Sequence, residues 1–140
     1  TLKRGVIDSG PYPTVSFFEA SNRILSDIVI LFGVRRLLTN PLVGNVRLPF
    51  TEYEVSFGVE AGNDLRAFAG SIHLIGEAFN VAPSFFQQKK SAGVRKLQHE
   101  KADYRLIMFN SDAVRSPEAY IEKSEPSMIY LPVDIWIEKK

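Results

Sequence analysis

Cysteine is absent from the 140 residues, which excludes disulfides, thiolate nucleophiles and cysteine-bound metal. Histidine is scarce. Only His73 and His99 offer an imidazole base, and two histidines cannot close a zinc site without carboxylate help. No serine sits in a G-x-S-x-G elbow, and neither a phosphate-cradling glycine loop nor H-E-x-x-H occurs. Net charge is nearly absent as well. A formal +1 exerts no global pull on nucleic acid or an anionic membrane, so such a partner must be met by a local patch. Long apolar runs are missing: the most apolar stretch, Ile28 to Val34, falls far short of the roughly 20 residues that span a bilayer. The opening Leu2-Lys3-Arg4 is followed by Gly5, Asp8 and two prolines, not by the apolar core of a secretory signal. A start at Thr1 reads as a processed or trimmed terminus. The expectation is a soluble protein, or a subunit of a soluble assembly, and no motif requires a cofactor.

What is present is enough apolar material for a folded core: 45% hydrophobic residues, ten of them phenylalanine. By size, residues 1–140 read as one domain. Gly5, Gly10, Pro11 and Pro13 make residues 1–15 an irregular N-terminal arm, ordered only if something such as a neighbouring subunit holds it.

Ser16 and Glu19 match a helix-start box. Phe17, Ala20, Ile24, Ile28 and Leu31 follow at helical spacing, with Phe18, Leu25, Val29 and Phe32 beside them, so the predicted stripe is wide. Thr39-Asn40-Pro41 ends this helix. A competing reading stops it near Ser26 and makes the β-branched stretch Ile28 to Val34 a buried strand.

The next stretch predicts a long hairpin over 46–78. Tyr53, Val55, Phe57 and Val59 alternate with Glu52, Glu54, Ser56 and Glu60, and Gly62-Asn63 supplies a turn. A two-residue loop there sets Phe57 against Phe68, Val55 against Gly70 and Tyr53 against Ile72, which puts all the large apolar residues on one core face. Glu52 then meets His73 on the other face. Gly70 and Gly76 read as a bulge or a close backbone approach.

Regular alternation fades after Phe79. Residues 87–101 carry five Lys or Arg against one Glu and read as a long basic loop between strands, in which Lys89, Lys90, Arg95, Lys96 and Lys101 are candidate phosphate ligands. Phe85 and Phe86 would stack on bases if exposed. A strand near 103–109, a short helix opened by Ser116-Pro117-Glu118, and a last strand over 128–138 complete the pattern. The predicted fold is α+β: an antiparallel sheet of at least four strands, built on the hairpin, with the N-terminal helix on one face. An all-β sandwich or small barrel is the alternative.

The chemistry on offer is limited. Glu52, Glu54 and His73 form the best acid–base or metal cluster, although a cross-strand Glu–His pair is also ordinary surface decoration. Asp134 with Glu138-Lys139-Lys140 resembles the carboxylate-x-lysine strand of metal-dependent nucleases, with the lysine at the chain end and no upstream acidic partner beside it. Three functions follow in order. The first is a non-enzymatic assembly subunit that forms homo-oligomeric or larger protein contacts, such as those of a viral or phage particle. The second is a nucleic-acid-binding module using 87–101. The third is a small metal-dependent hydrolase.

Overall fold

In a computed structural model, residues 6–7, 15–57 and 62–135 are described, with backbone only for 6–7 and 15–22. Most of the expected N-terminal arm therefore lies outside the described residues. Its ends do meet: β1 (Val6–Ile7) pairs antiparallel with β2 (Val15–Ser16).

Helix α1 runs Phe17–Thr39, so Ile28 to Val34 is helical and the all-β alternative falls. Val29, Ile30 and Leu37 are buried on one stripe, while Ile24, Leu25, Leu31 and Leu38 stay exposed. The buried face is thus narrower than the sequence predicts. Gly33 sits in that stripe because a β-carbon there would collide with Met108 Sδ. The glycine lowers helix propensity but lets α1 lie close on the sheet. Beyond Pro41, β3 (Leu42–Val43) and β4 (Val46–Arg47) form a separate two-stranded hairpin.

The main sheet has five strands in the order β5 (Glu54–Val55), β6 (Leu65–Ala69), β7 (Ile72–Phe79), β8 (Tyr104–Asn110) and β9 (Ile129–Val133). Its first three strands are antiparallel and its last three parallel. The fold is α+β, but the sheet is mixed, not wholly antiparallel. The reason is α2 (Phe86–Gln98), which occupies most of the expected basic loop. A helix between two strands carries the chain back over the sheet, so the next strand enters parallel. A second crossover through α3 (Pro117–Glu122) does the same for β9.

The predicted long hairpin is also divided. Gly70, at φ 63, opens a two-residue turn between Ala69 and Ile72, so Leu65 to Phe79 is itself a hairpin. Positive φ at that turn matches the twist of the flanking strands. Val55 pairs with Leu65, not with Gly70. That offset of five is odd, and an odd slip moves every side chain to the other face. Leu65 and Ala67 are accordingly buried, whereas Phe68, Phe57 and Ile72 are exposed. Residues 58–61, where the first arm was expected to continue, lie outside the described residues.

Two apolar layers flank the sheet. Under α1 lie Leu65, Leu74, Leu106, Met108, Ile129 and Leu131. Under α2 and α3 lie Ile75, Phe79, Ile107 and Phe109, met by Phe86 and Leu97. Among the described residues, no helix is long and apolar enough to cross a membrane.

Candidate functional site

The clusters singled out from sequence separate. Glu54 pairs across the strands with Arg66, and His73 with Phe68, whose ring stacks on the imidazole at 4.5 Å. Glu52 and Glu54 line a shallow cleft beside Tyr53 and Phe68, while His73 lines another with Lys101, Asp103 and Arg105. The expected Glu52–His73 pair is not formed, because the register moved by an odd number of residues. Asp134 accepts a hydrogen bond from Ser111 Oγ, and Glu138, Lys139 and Lys140 lie outside the described residues.

The five basic candidates are dispersed by the helix that replaces the loop. Lys90 lies over the Tyr120 ring, 5.6 Å from its centre. Lys101 falls beyond α2, beside His73. Arg95 is exposed, and its carbonyl lies 2.7 Å from His99 Nδ1. Lys89 and Lys96 occupy one stripe of α2, and only Lys96 reaches the sheet.

There it joins a site that sequence inspection missed. Asp64 immediately precedes β6 and Glu77 follows Gly76, the partner of Leu65, so the chain brings the two carboxyls into contact. Asp64 Oδ2 accepts the Ala78 N–H at 2.9 Å. Glu77 Oε2 meets Lys96 Nζ at 3.1 Å, with only 13% of the Glu77 side chain exposed. The Lys96 ammonium also donates to the Gly62 carbonyl at 2.9 Å. Asn63, which is buried, donates through Nδ2 to Glu77 Oε2 at 3.3 Å and to Glu100 Oε2 at 3.0 Å. Gly62-Asn63 was expected to be a simple turn. Instead it lines this site, and its amide orients two carboxylates.

Both acids are held above the ordinary carboxylate range. Burial raises Asp64 most, and Asp27 on α1 adds repulsion against the pull of the Ala78 N–H, Lys96 and Glu77. Burial also leads for Glu77, followed by the Asp64 charge, with Lys96 and Asn63 opposing. Two desolvated carboxyls in contact favour sharing a proton until a cation compensates them. Among the described residues, no three His, Asp or Glu side chains converge as a metal cage. A hard divalent ion needs fewer, since Mg²⁺ is commonly held by one or two carboxylates with water and substrate phosphate completing its shell.

The only sequence signals for this site were Asn63-Asp64 ahead of a strand, Glu77 in an apolar strand, and a lysine well downstream. None is a motif by itself. Comparison with protein-family models, curated proteins and solved structures finds no match to this chain.

Proposed function

We propose that this chain is a divalent-cation-dependent phosphodiesterase acting on nucleic acid, with Asp64 and Glu77 as cation ligands and Lys96 as the phosphate-facing cation. One observation carries the reading: a loop, a strand and a helix converge to place Lys96 Nζ 3.1 Å from Glu77 Oε2, with Asp64 beside them. Structural ion pairs do not need a second half-buried carboxylate, and its presence raises the energy of both acids. Perturbed carboxyls of this kind concentrate at functional sites.

The chemistry suits the groups. Carboxylate oxygens select Mg²⁺ or Mn²⁺, which when bound acidify water and offset charge on the phosphate. The Lys96 ammonium adds positive charge where the pentavalent phosphorus gathers negative charge. Water oxygen forms the new P–O bond, the ester P–O bond breaks, and the departing oxygen takes a proton. Asn63 keeps Glu77 aimed at the site. This is hydrolase chemistry, but on Asp64, Glu77 and Lys96 in place of Glu52 and His73.

The test is incubation of the purified chain with plasmid and single-stranded DNA in Mg²⁺ or Mn²⁺, beside Asp64→Asn, Glu77→Gln and Lys96→Ala. Cleavage that needs the cation and disappears in each variant is expected. Cleavage that is absent with both ions, or that survives in the variants, overturns the reading.

A second reading, the assembly subunit, is favoured by the exposed Phe68 and Ile72 beside the β6–β7 turn, by Phe57 just after β5, and by Ile24, Leu31 and Leu38 on α1. Exposed apolar groups of this size commonly mark subunit contacts. Light scattering should then give a mass well above 15.8 kDa, and a strict monomer at high concentration removes it.

A further inference from the structure

A second feature adjoins the candidate site and is not used by it. Past the end of β7, the loop from Asn80 to Ala82 and the first turns of α2 enclose a cavity of about 560 Å³. Phe85, Gln88, Lys89 and Ala92 line its helical side. The volume lies within the range of small-molecule sites, and most of its lining is apolar. Phe85 is 59% exposed, an unusual state for a phenylalanine beside a well-packed aromatic core. Its neighbour Phe86 is buried against Phe79, Phe109 and Tyr120, so the core does not need Phe85.

The opposite wall is fixed. The buried Asn110 accepts the Val81 N–H at 2.9 Å and donates to the Val81 carbonyl at 2.8 Å. A wall held at both backbone groups is formed before any ligand arrives, which reduces the ordering cost of binding. Continuity with the carboxylates follows from helix geometry. Lys89, Ala92 and Lys96 are spaced by three and four on one stripe of α2, and Phe85 sits at the N-terminal boundary of that helix, four residues before Lys89. Ala92 lies about 6 Å along the axis from Lys96, and Lys89 about 10 Å. A strand that presents a phosphate to Lys96 and follows this stripe brings a later phosphate to Lys89 and a base to Phe85.

We propose that the cavity is a base-stacking subsite, and that the substrate is therefore single-stranded nucleic acid or an unpaired strand end. The inference rests on the phosphodiesterase reading for its direction, and on the pocket for its content. A base held in a duplex already has both faces stacked and cannot lie on Phe85, whereas an unpaired base can. Lys89 neutralises a phosphate without reading sequence, and the Gln88 amide offers a donor and an acceptor to a base edge. Among the described residues no acid or imidazole lines the cavity, which fits binding and not chemistry.

The experiment measures fluorescence anisotropy of labelled oligothymidylate, oligouridylate and a duplex of equal length, in Ca²⁺, on the full chain and on Phe85→Ala, Phe85→Trp and Lys89→Ala. Phe85→Ala should lose about tenfold in affinity for the single strands, the size of one base–aromatic stack. Phe85→Trp should retain it, and Lys89→Ala should flatten the salt dependence for the single strands. The ratio of the two oligonucleotide affinities separates RNA from DNA as the source. Single-strand affinity unchanged in Phe85→Ala, or lost equally for the duplex, overturns the subsite. The unmodified chain is assayed separately on bis(p-nitrophenyl) phosphate with Mn²⁺. No hydrolysis there, with Phe85-dependent binding intact, defeats the phosphodiesterase reading alone and leaves the subsite standing.

Discussion

Replacing Asp64 by Asn should make the cation-free protein more stable while removing its response to divalent ions. The asparagine Oδ1 can still accept the Ala78 N–H that Asp64 accepts at 2.9 Å, so the local hydrogen bond survives. What disappears is a charge. In the fold that charge is disfavoured by burial and by Asp27, and it in turn repels the Glu77 carboxyl. Relief of such a charge is worth about 1 kcal/mol, which in a chain of this length is about 3 °C in Tm.

The pH dependence has a definite sign. A carboxyl whose folded pKa is raised binds its proton more readily folded than unfolded. Stability therefore falls as pH rises from the unfolded value, about 4, through the folded one. An asparagine does not titrate. The advantage of Asp64→Asn should grow as pH rises above about 4 and should close on acidification back to it. Divalent ions reverse the order: Mn²⁺ at 100 times its Kd adds about 2.7 kcal/mol to a protein that binds it only when folded. That is about 8 °C for the native chain and little for the variant. Differential scanning fluorimetry at pH 4, 5.5 and 7, with and without Mn²⁺, reads all of this. A variant less stable than the native chain at pH 7 without cations, or one that gains equally from Mn²⁺, refutes the reasoning.

Three further outcomes are expected. Lys96→Ala leaves Glu77 and the Gly62 carbonyl without their ammonium, so it should cost about 1 to 2 kcal/mol at pH 7. With its opposing cation gone, Glu77 is pushed further up, and urea titrations should show the deficit shrinking as pH falls. Gly33→Ala drives a β-carbon into Met108 Sδ and should cost about 1 to 3 kcal/mol despite the better helix propensity; an unchanged Tm would contradict the close packing of α1 on β8. Phe109→Ala removes the ring that Phe79, Phe86 and Tyr120 all meet, and a loss below about 2 kcal/mol in chemical denaturation would mean that this aromatic layer is not the core under α2.

Local pattern, by itself, determined a good part of this protein. α1 was readable because helical periodicity ran unbroken through Ile28 to Val34, and α3 because Ser116-Pro117-Glu118 is a strong start. The strands β8 and β9 were legible from apolar runs, and the lack of cysteine closed whole classes of chemistry. α2 was hidden for a physical reason. Its inward stripe is Phe86, Lys90, Gly93 and Leu97, in which a lysine ammonium lies over the Tyr120 ring and a glycine admits Ile107 Cδ1. Half of that stripe does not look apolar, so the segment passed for a basic loop.

Only the tertiary structure decided the rest. Once α2 is a crossover, β8 must enter parallel to β7, and the sheet becomes mixed. The tight turn at Gly70 then sets the register that exposes Phe68 and puts Asp64 beside Glu77. The same crossover brings Lys96 onto Glu77. Those three residues lie far apart in sequence, and each sits where its own neighbours give it no distinctive pattern. Strand pairing and helix docking act over distances that periodicity cannot register, so the site came into existence only when the chain was folded.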